Sequence, residues 1–167
     1  RIFIDISSPT KKSVGGSKHW LLVLDDCTDM PFSIFISEKD LLEVKLIPWI
    51  KELKIKHGIV VKIIRCDNAG ENNSLQTTCK AEGLGITFEY TAPGTPQQNG
   101  RVERKFQTLY GRVRAMIHGS GLKKFVGDSL WPEAAKMATD LNGYLIHDAS
   151  NMSASDKFFG VGKEYPV

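Results

Sequence analysis

Gly58-Ile59-Val60-Val61-Lys62-Ile63-Ile64-Arg65-Cys66-Asp67 reads as a buried strand with a charge at its end. Five of the eight residues from Ile59 to Cys66 are β-branched, which favours extended backbone packed on both faces. The segment before it has a helical period instead. Over Lys39–His57 the spacing of Leu41, Leu42, Val44, Ile47, Ile50 and Leu53 suits a helix. Gly58 supplies the stop, and Pro48 is expected to kink or divide the helix. A strand reached through a helix pairs parallel to an earlier strand, so the domain must contain a sheet with a crossover.

Upstream, Arg1–Ser7 alternates, with Ile2, Ile4 and Ile6 on one side and Phe3 and Asp5 on the other. Gly15-Gly16-Ser17 makes a turn, His19–Asp25 is an apolar run fit for a strand covered on both faces, and Phe32–Ser37 is a third short strand. These three form an antiparallel meander. Downstream come a short helix over Ser74–Glu82 ended by Gly83, the strand Ile86–Tyr90 and a loop over Ala92–Gly100. A long helix follows from Arg101, with Val102, Phe106, Leu109, Val113 and Met116 on one face. Another runs from Leu130 to His147, with Pro132 in its first turn. The tail Ser153–Val167 is expected to be irregular and docked by Phe158 and Phe159. The expected fold is α/β: a mixed sheet of three antiparallel strands plus parallel strands, flanked by helices. Residues 1–150 form the domain, and 151–167 an extension that packs on it or leaves it.

Composition excludes several classes. No apolar run reaches the roughly 18 residues that cross a bilayer, and no signal-peptide pattern opens the chain. It begins inside a strand-like run without Met, as expected of a piece of something longer. Cys27, Cys66 and Cys79 contain no Cys-x-x-Cys pair, so neither a disulfide framework nor a zinc site is expected, and a reducing, intracellular setting fits. His19, His57, His118 and His147 never fall at ligand spacing and read as surface or packing residues. Asn72 and Asn151 each open an Asn-x-Ser match, a pattern that chance supplies freely.

Net charge is +3, unevenly spread. Arg101, Arg104, Lys105, Arg112, Arg114, Lys123 and Lys124 face Glu103 alone, so residues 101–124 carry +6 and the rest about −3. A cationic helix on a near-neutral protein suits phosphate binding, against the plainer reading of a solvated face.

Three acids are candidates for chemistry. Asp5 lies in the first strand, Asp67 at the C-terminal end of the buried strand, and Glu103 in the first turn of the basic helix. That strand edge is where ligand sites form in open α/β sheets. A carboxylate in a first helical turn is also favoured by the dipole alone. Three clustered carboxylates repel unless cations neutralise them, and oxygen donors without His or Cys select Mg²⁺ or Mn²⁺. Two such ions clamp the attacking and leaving oxygens of a phosphoryl displacement, Asp5 bridging them and Asp67 and Glu103 each completing one. Asp25, Asp26 and Asp29 form a rival acidic group.

The motifs favour the first set. Ile64-Arg65-Cys66-Asp67-Asn68-Ala69-Gly70-Glu71 resembles the second-Asp segment of the retroviral-type integrases, and Thr95-Pro96-Gln97-Gln98-Asn99-Gly100-Arg101-Val102-Glu103-Arg104 resembles their Glu segment. Thirty-five residues separate Asp67 from Glu103, the spacing typical of that family. The string from Pro96 to Arg104 and Leu130-Trp131-Pro132-Glu133-Ala134-Ala135 are most similar to the copia-type retrotransposon branch, and the likeness covers essentially the whole chain.

The resemblance implies a ribonuclease H-like integrase catalytic core over residues 1–150, with Asp5, Asp67 and Glu103 as catalytic metal ligands. It implies a DNA integrase that trims element 3′ ends with water and then joins the 3′-hydroxyl to target DNA. Partners would be element ends and target DNA, in a homodimer or higher multimer without membrane association, acting in the nucleus. Gln97, Gln98 and Asn99 correspond to the active-site loop and, with Arg101, Arg104, Lys105 and Arg114, are the expected DNA contacts. Asn68 is expected either to orient Asp67 or to be a plain turn residue. Ser8-Pro9 stands where the family favours Gly-Pro, and Gln107, Tyr110 and Arg114 where retroviral relatives favour lysines.

The alternatives are a domesticated or decayed core that only binds DNA, and a ribonuclease H, which leaves the Gln-Gln-Asn-Gly segment unexplained. Gly160-Val161-Gly162-Lys163 fails as a nucleotide loop, because Lys157 stands where the first Gly belongs and Glu164 follows the Lys.

Overall fold

Alternation in the first residues sets up the sheet. The computed structural model describes residues 1–9, 11–91, 100–146 and 149–161. Ile2–Ser7 (β1) pairs antiparallel with His19–Asp25 (β2), which pairs antiparallel with Pro31–Ile36 (β3). Ile63–Cys66 (β4) lies parallel to β1 on its other side, and Thr87–Tyr90 (β5) parallel to β4. The order is β3-β2-β1-β4-β5, the expected meander plus parallel strands.

The two faces bury different helices. Ile2, Ile4, Leu21 and Val23 point to the face covered by Leu42–His57 (α1) and Gly70–Ala81 (α2), whose Leu46, Ile50, Leu53 and Leu75 complete that core. Phe3, Trp20, Leu22 and Leu24 point to the other face, against Val102, Phe106, Leu109 and Val113 of Gly100–Gly119 (α3). Trp131, Ala135 and Ala138 of Trp131–Tyr144 (α5) close this second core. β2 is enclosed on both faces: Trp20 through Leu24 are all 0% exposed.

Several boundaries differ from the sequence reading. Pro48 does not divide the helix: α1 runs through it after a single 3₁₀ turn at Lys39–Leu41, with Pro48 on the exposed side. Gly58 ends α1 at φ 68°, and its N–H and that of Ile59 donate back to Lys54 O and Leu53 O. Residues 59–62 are thus still leaving the helix, and the strand begins only at Ile63, where β1 and β5 offer partners. The second helix starts at Gly70, four residues before Ser74. A short helix, Lys124–Ser129 (α4), has no counterpart in the sequence reading. The tail is not wholly irregular. Ala154–Phe159 (α6) is a helix with a capping box, Ser153 Oγ accepting from Asp156 N–H and the Asp156 carboxylate accepting from Ser153 N–H. Phe158 and Phe159 do dock it, both edge-on to Phe32.

A polar thread crosses the second core. Trp20 Nε1–H donates to Ser33 Oγ at 2.8 Å, Ser33 Oγ lies 2.6 Å from Thr139 Oγ1, and the Thr139 hydroxyl donates to Ala135 O at 2.7 Å. Thr139 has one proton and it goes to Ala135, so Ser33 donates to Thr139 while accepting from Trp20. Ser33→Ala leaves the indole N–H of a fully buried tryptophan without this acceptor. Urea denaturation is expected to show a loss of about 1–3 kcal/mol, with Ser33→Thr closer to the parent.

Candidate active site

Each acid of the candidate triad is delivered by a different element. Asp5 shares the Phe3 face of β1 and so points toward α3. The β1–β4 register pairs Ile2 with Ile64 and Phe3 with Arg65, and extending it two places sets Asp5 level with Asp67. Asp67 follows the last residue of β4. Glu103 lies in the first turn of α3, exposed, while Val102, Phe106, Leu109 and Val113 are buried. Asp5 and Glu103 line one cleft of about 440 Å³, with Ser7, Gln107, Tyr110 and Arg114. The Tyr110 hydroxyl donates to Ser7 Oγ at 2.8 Å, tying α3 to the end of β1 beside Asp5.

The charges of Asp67 and Glu103 both reach Asp5. Burial raises the Asp5 carboxyl, an Ile6 N–H bond at 2.9 Å opposes it, and the charges of Asp67 and Glu103 add to the rise, bringing it to about 6. Lys39 pulls the other way. Its Nζ bonds Glu71 Oε1 at 3.0 Å, at the mouth of a second cleft that also contains His19 and Ser74.

Asp67 is held by its own turn and by α2. One carboxylate oxygen, Oδ1, accepts from Ala69 N–H at 3.3 Å and from Asn72 Nδ2 at 2.6 Å. Asn72 also donates to Asp67 O at 3.2 Å. Orientation of Asp67 therefore comes from Asn72, which the sequence offered only as an Asn-x-Ser match, and not from Asn68, whose side chain is exposed. Lys39 and Ser7 were also missed as site neighbours, whereas Tyr110 was already named with Gln107 and Arg114 among the positions of the Glu103 helix where retroviral relatives favour lysines. Tyr110 lies two helical turns beyond Glu103.

The rival acids occupy the opposite end of β1 and are already engaged. Asp25 Oδ2 accepts from Cys27 N–H, Thr28 N–H and the Thr28 hydroxyl, stapling the β2–β3 turn. Asp26 is paired with Arg1 and Arg101, and Asp29 with Arg101 and Lys105. At roughly 100° per residue, α3 thus has two working flanks. Arg101 and Lys105 face this turn, and Lys105 also reaches Asn142 of α5 at 3.1 Å. Glu103, Gln107, Tyr110 and Arg114 face the cleft. The structure does not bring Arg101 and Lys105 to the carboxylates. Arg104 and Arg114 are exposed, and Arg114 alone of the four lines the cleft. Gln97, Gln98 and Asn99 lie outside the described residues.

Among the described residues, no three His, Cys, Asp or Glu side chains close around a point as a ready-made metal cage. The donor chemistry nevertheless fits a hard cation: the grouped side chains offer carboxylate oxygen alone, and their mutual repulsion is what a cation would relieve.

A charge half-buried beside like charges costs stability. Asp5 binds its proton more tightly in the folded than in the unfolded chain, so stability falls as pH rises through about 6. Metal-free Asp5→Asn is expected to be more stable than the parent at pH 7–8 by about 1–3 kcal/mol. The gap should close as pH falls from about 6 toward the ordinary value of 3.8. Urea melts across that range check this, and a pH-independent difference would refute it.

Comparison with known proteins agrees with the architecture. No family model matches the chain. The retrovirus-related Pol polyprotein from transposon TNT 1-94 of Nicotiana tabacum is 31% identical over 147 residues, 87% of this chain. The chain spans only about a tenth of that polyprotein's length. Among solved structures, the catalytic core domain of BIV integrase superposes with a TM-score of 0.64 at 19% identity, covering 94% of this chain and 91% of that one. A chain of the simian T-cell lymphotropic virus intasome, solved in complex with PP2A regulatory subunit B56 gamma, gives 0.69 at 14% identity over 99% of this chain and 55% of that one. By sequence and by fold, the chain belongs with the retrovirus-related Pol proteins of retrotransposons, in the part that folds as an integrase catalytic core.

Proposed function

We propose that this chain is the catalytic core of a retrotransposon integrase, which processes element 3′ ends and transfers them into target DNA in the nucleus. What supports the reading is that Asp5 and Glu103 line one cleft, and that Asp67, at the end of the neighbouring strand and level with Asp5, adds its charge there. A retrotransposon Pol relative that aligns with 87% of this chain, and integrase-core neighbours in fold, support the same reading.

Asp5, Asp67 and Glu103 would hold Mg²⁺ or Mn²⁺, two ions in the active complex. Bound there, the cations would lower the cost of negative charge on the attacking and leaving oxygens of a phosphodiester. The chain's own residues set the conditions. The Tyr110–Ser7 bond fixes the helix that carries Glu103 against the strand that carries Asp5. Lys39 offsets part of the negative charge around Asp5. Arg114 at the cleft and exposed Arg104 are positioned for DNA phosphates, with the segment containing Gln97, Gln98 and Asn99 as a further contact. Arg101 and Lys105 would act indirectly, by anchoring α3 to the β2–β3 turn. Concerted joining of two element ends calls for a homodimer or higher multimer.

The test is strand transfer on labelled DNA, or the reverse disintegration reaction suited to an isolated core, in Mn²⁺ or Mg²⁺. Activity is expected to require the metal. Glu103→Gln should reduce it by more than about a hundredfold, exceeding the loss usual for an outer partner of a metal ligand. Activity that survives Glu103→Gln overturns the carboxylate assignment. A parent chain that binds DNA without reacting would favour a DNA-binding remnant instead.

A further inference from the structure

Asn72 stands out as a buried polar group only partly satisfied. It is 6% exposed, both amide protons go to Asp67, and its own Oδ1 is buried with no donor reaching it among the described residues. Turning the amide over would not help. It would set Oδ1 against the Asp67 carboxylate and carbonyl, two acceptor–acceptor contacts, so the neighbours fix its orientation. An apolar side chain at this place in α2, beside buried Leu75, would leave no such orphan. Buried polar atoms without partners are rare and call for a cause outside folding.

Asp67 supplies that cause. It is an exposed carboxylate at a strand end, where it would otherwise turn freely about its own bonds. Ala69 N–H and Asn72 Nδ2 both hold the same oxygen, Oδ1, and among the described residues no hydrogen bond engages Oδ2. We propose that Asn72 is a positioning residue: it locks Asp67 Oδ1 so that Oδ2 is presented, pre-oriented, to a divalent cation shared with Asp5. This rests on the metal-site reading above and adds a residue that acts on the site through Asp67. The principle is general: partners that orient a ligand typically contribute ten- to a hundredfold to metal affinity.

The test is Mn²⁺ binding, read as loss of the free-ion electron paramagnetic resonance signal, for the full chain and two variants. Asn72→Leu keeps the branched outline of the side chain and removes both donors, and Asp67→Asn removes the ligand charge itself. Expected is parent-like thermal stability for metal-free Asn72→Leu, or a small gain from losing the orphan oxygen, with Mn²⁺ affinity about tenfold weaker. Strand transfer should then recover toward the parent rate at high Mn²⁺, because the ligand is mis-oriented but present. Should Asn72→Leu not fold, Asn72→Ser, too short to reach Asp67, is read in the same way. Parent-like Mn²⁺ affinity in the folded variant overturns the proposal. Failure of the underlying reading looks different: Asp67→Asn would then bind Mn²⁺ as well as the parent, or the parent would not bind it at all.

Discussion

Burial of β2 on both faces is the constraint from which the rest of the arrangement follows. A strand with five consecutive fully enclosed residues needs a helical layer above and another below, and each residue's place in the alternation assigns it to one layer. β1, hydrogen-bonded alongside, inherits the same division. Phe3 and Asp5 fall on the α3 side and Ile2 and Ile4 on the α1 side. Asp5 therefore meets α3 because β2 fixes which way every odd-numbered residue of β1 must point. A shift of β1 by one residue would turn that carboxylate into the core.

Most of this was legible because it rests on period and on local stops. The alternation of Ile2, Ile4 and Ile6, the unbroken run from Trp20 to Leu24 and the stripe Val102–Phe106–Leu109–Val113 each reported the buried face correctly. What escaped depends on partners distant in sequence. The β-branched run at Ile59 looked like strand throughout, yet it pairs only from Ile63, because ladder hydrogen bonds need neighbours. Pro48 looked like a break but sits on the exposed side, where α1 accommodates it. The helix at Ala154 could have been read from Ser153-x-x-Asp156, which has the form of a capping box. At the site, the three acids were visible from motif and spacing, whereas Asn72 was not. No local pattern says that an asparagine in the next helix turns both protons back on the aspartate five residues before it.

The basic helix shows why charge counting alone cannot assign a surface. Its five cations and one acid suit phosphate binding as a bare count, but helical geometry separates them. Arg101 and Lys105 neutralise a turn crowded with Asp26 and Asp29, and the guanidiniums of Arg101 and Arg1 both lie over the Phe3 ring, 5.7 and 5.8 Å from its centroid. The rival acidic cluster thus serves as an anchor for α3. The same helix is fastened along one flank and presents Glu103 along another.

That fastened turn also carries Cys27. It is the one exposed thiol of the chain, since Cys66 and Cys79 are buried and burial pushes both thiols upward, Cys66 to about 12. Native protein treated with a maleimide dye should therefore take up a single label, countable by mass spectrometry, at the sheet edge away from Asp5 and Asp67. With an acceptor dye on a DNA end, that label becomes a fixed optical ruler. Energy transfer would track the approach of DNA to the molecule in real time, without altering any group that faces the cleft.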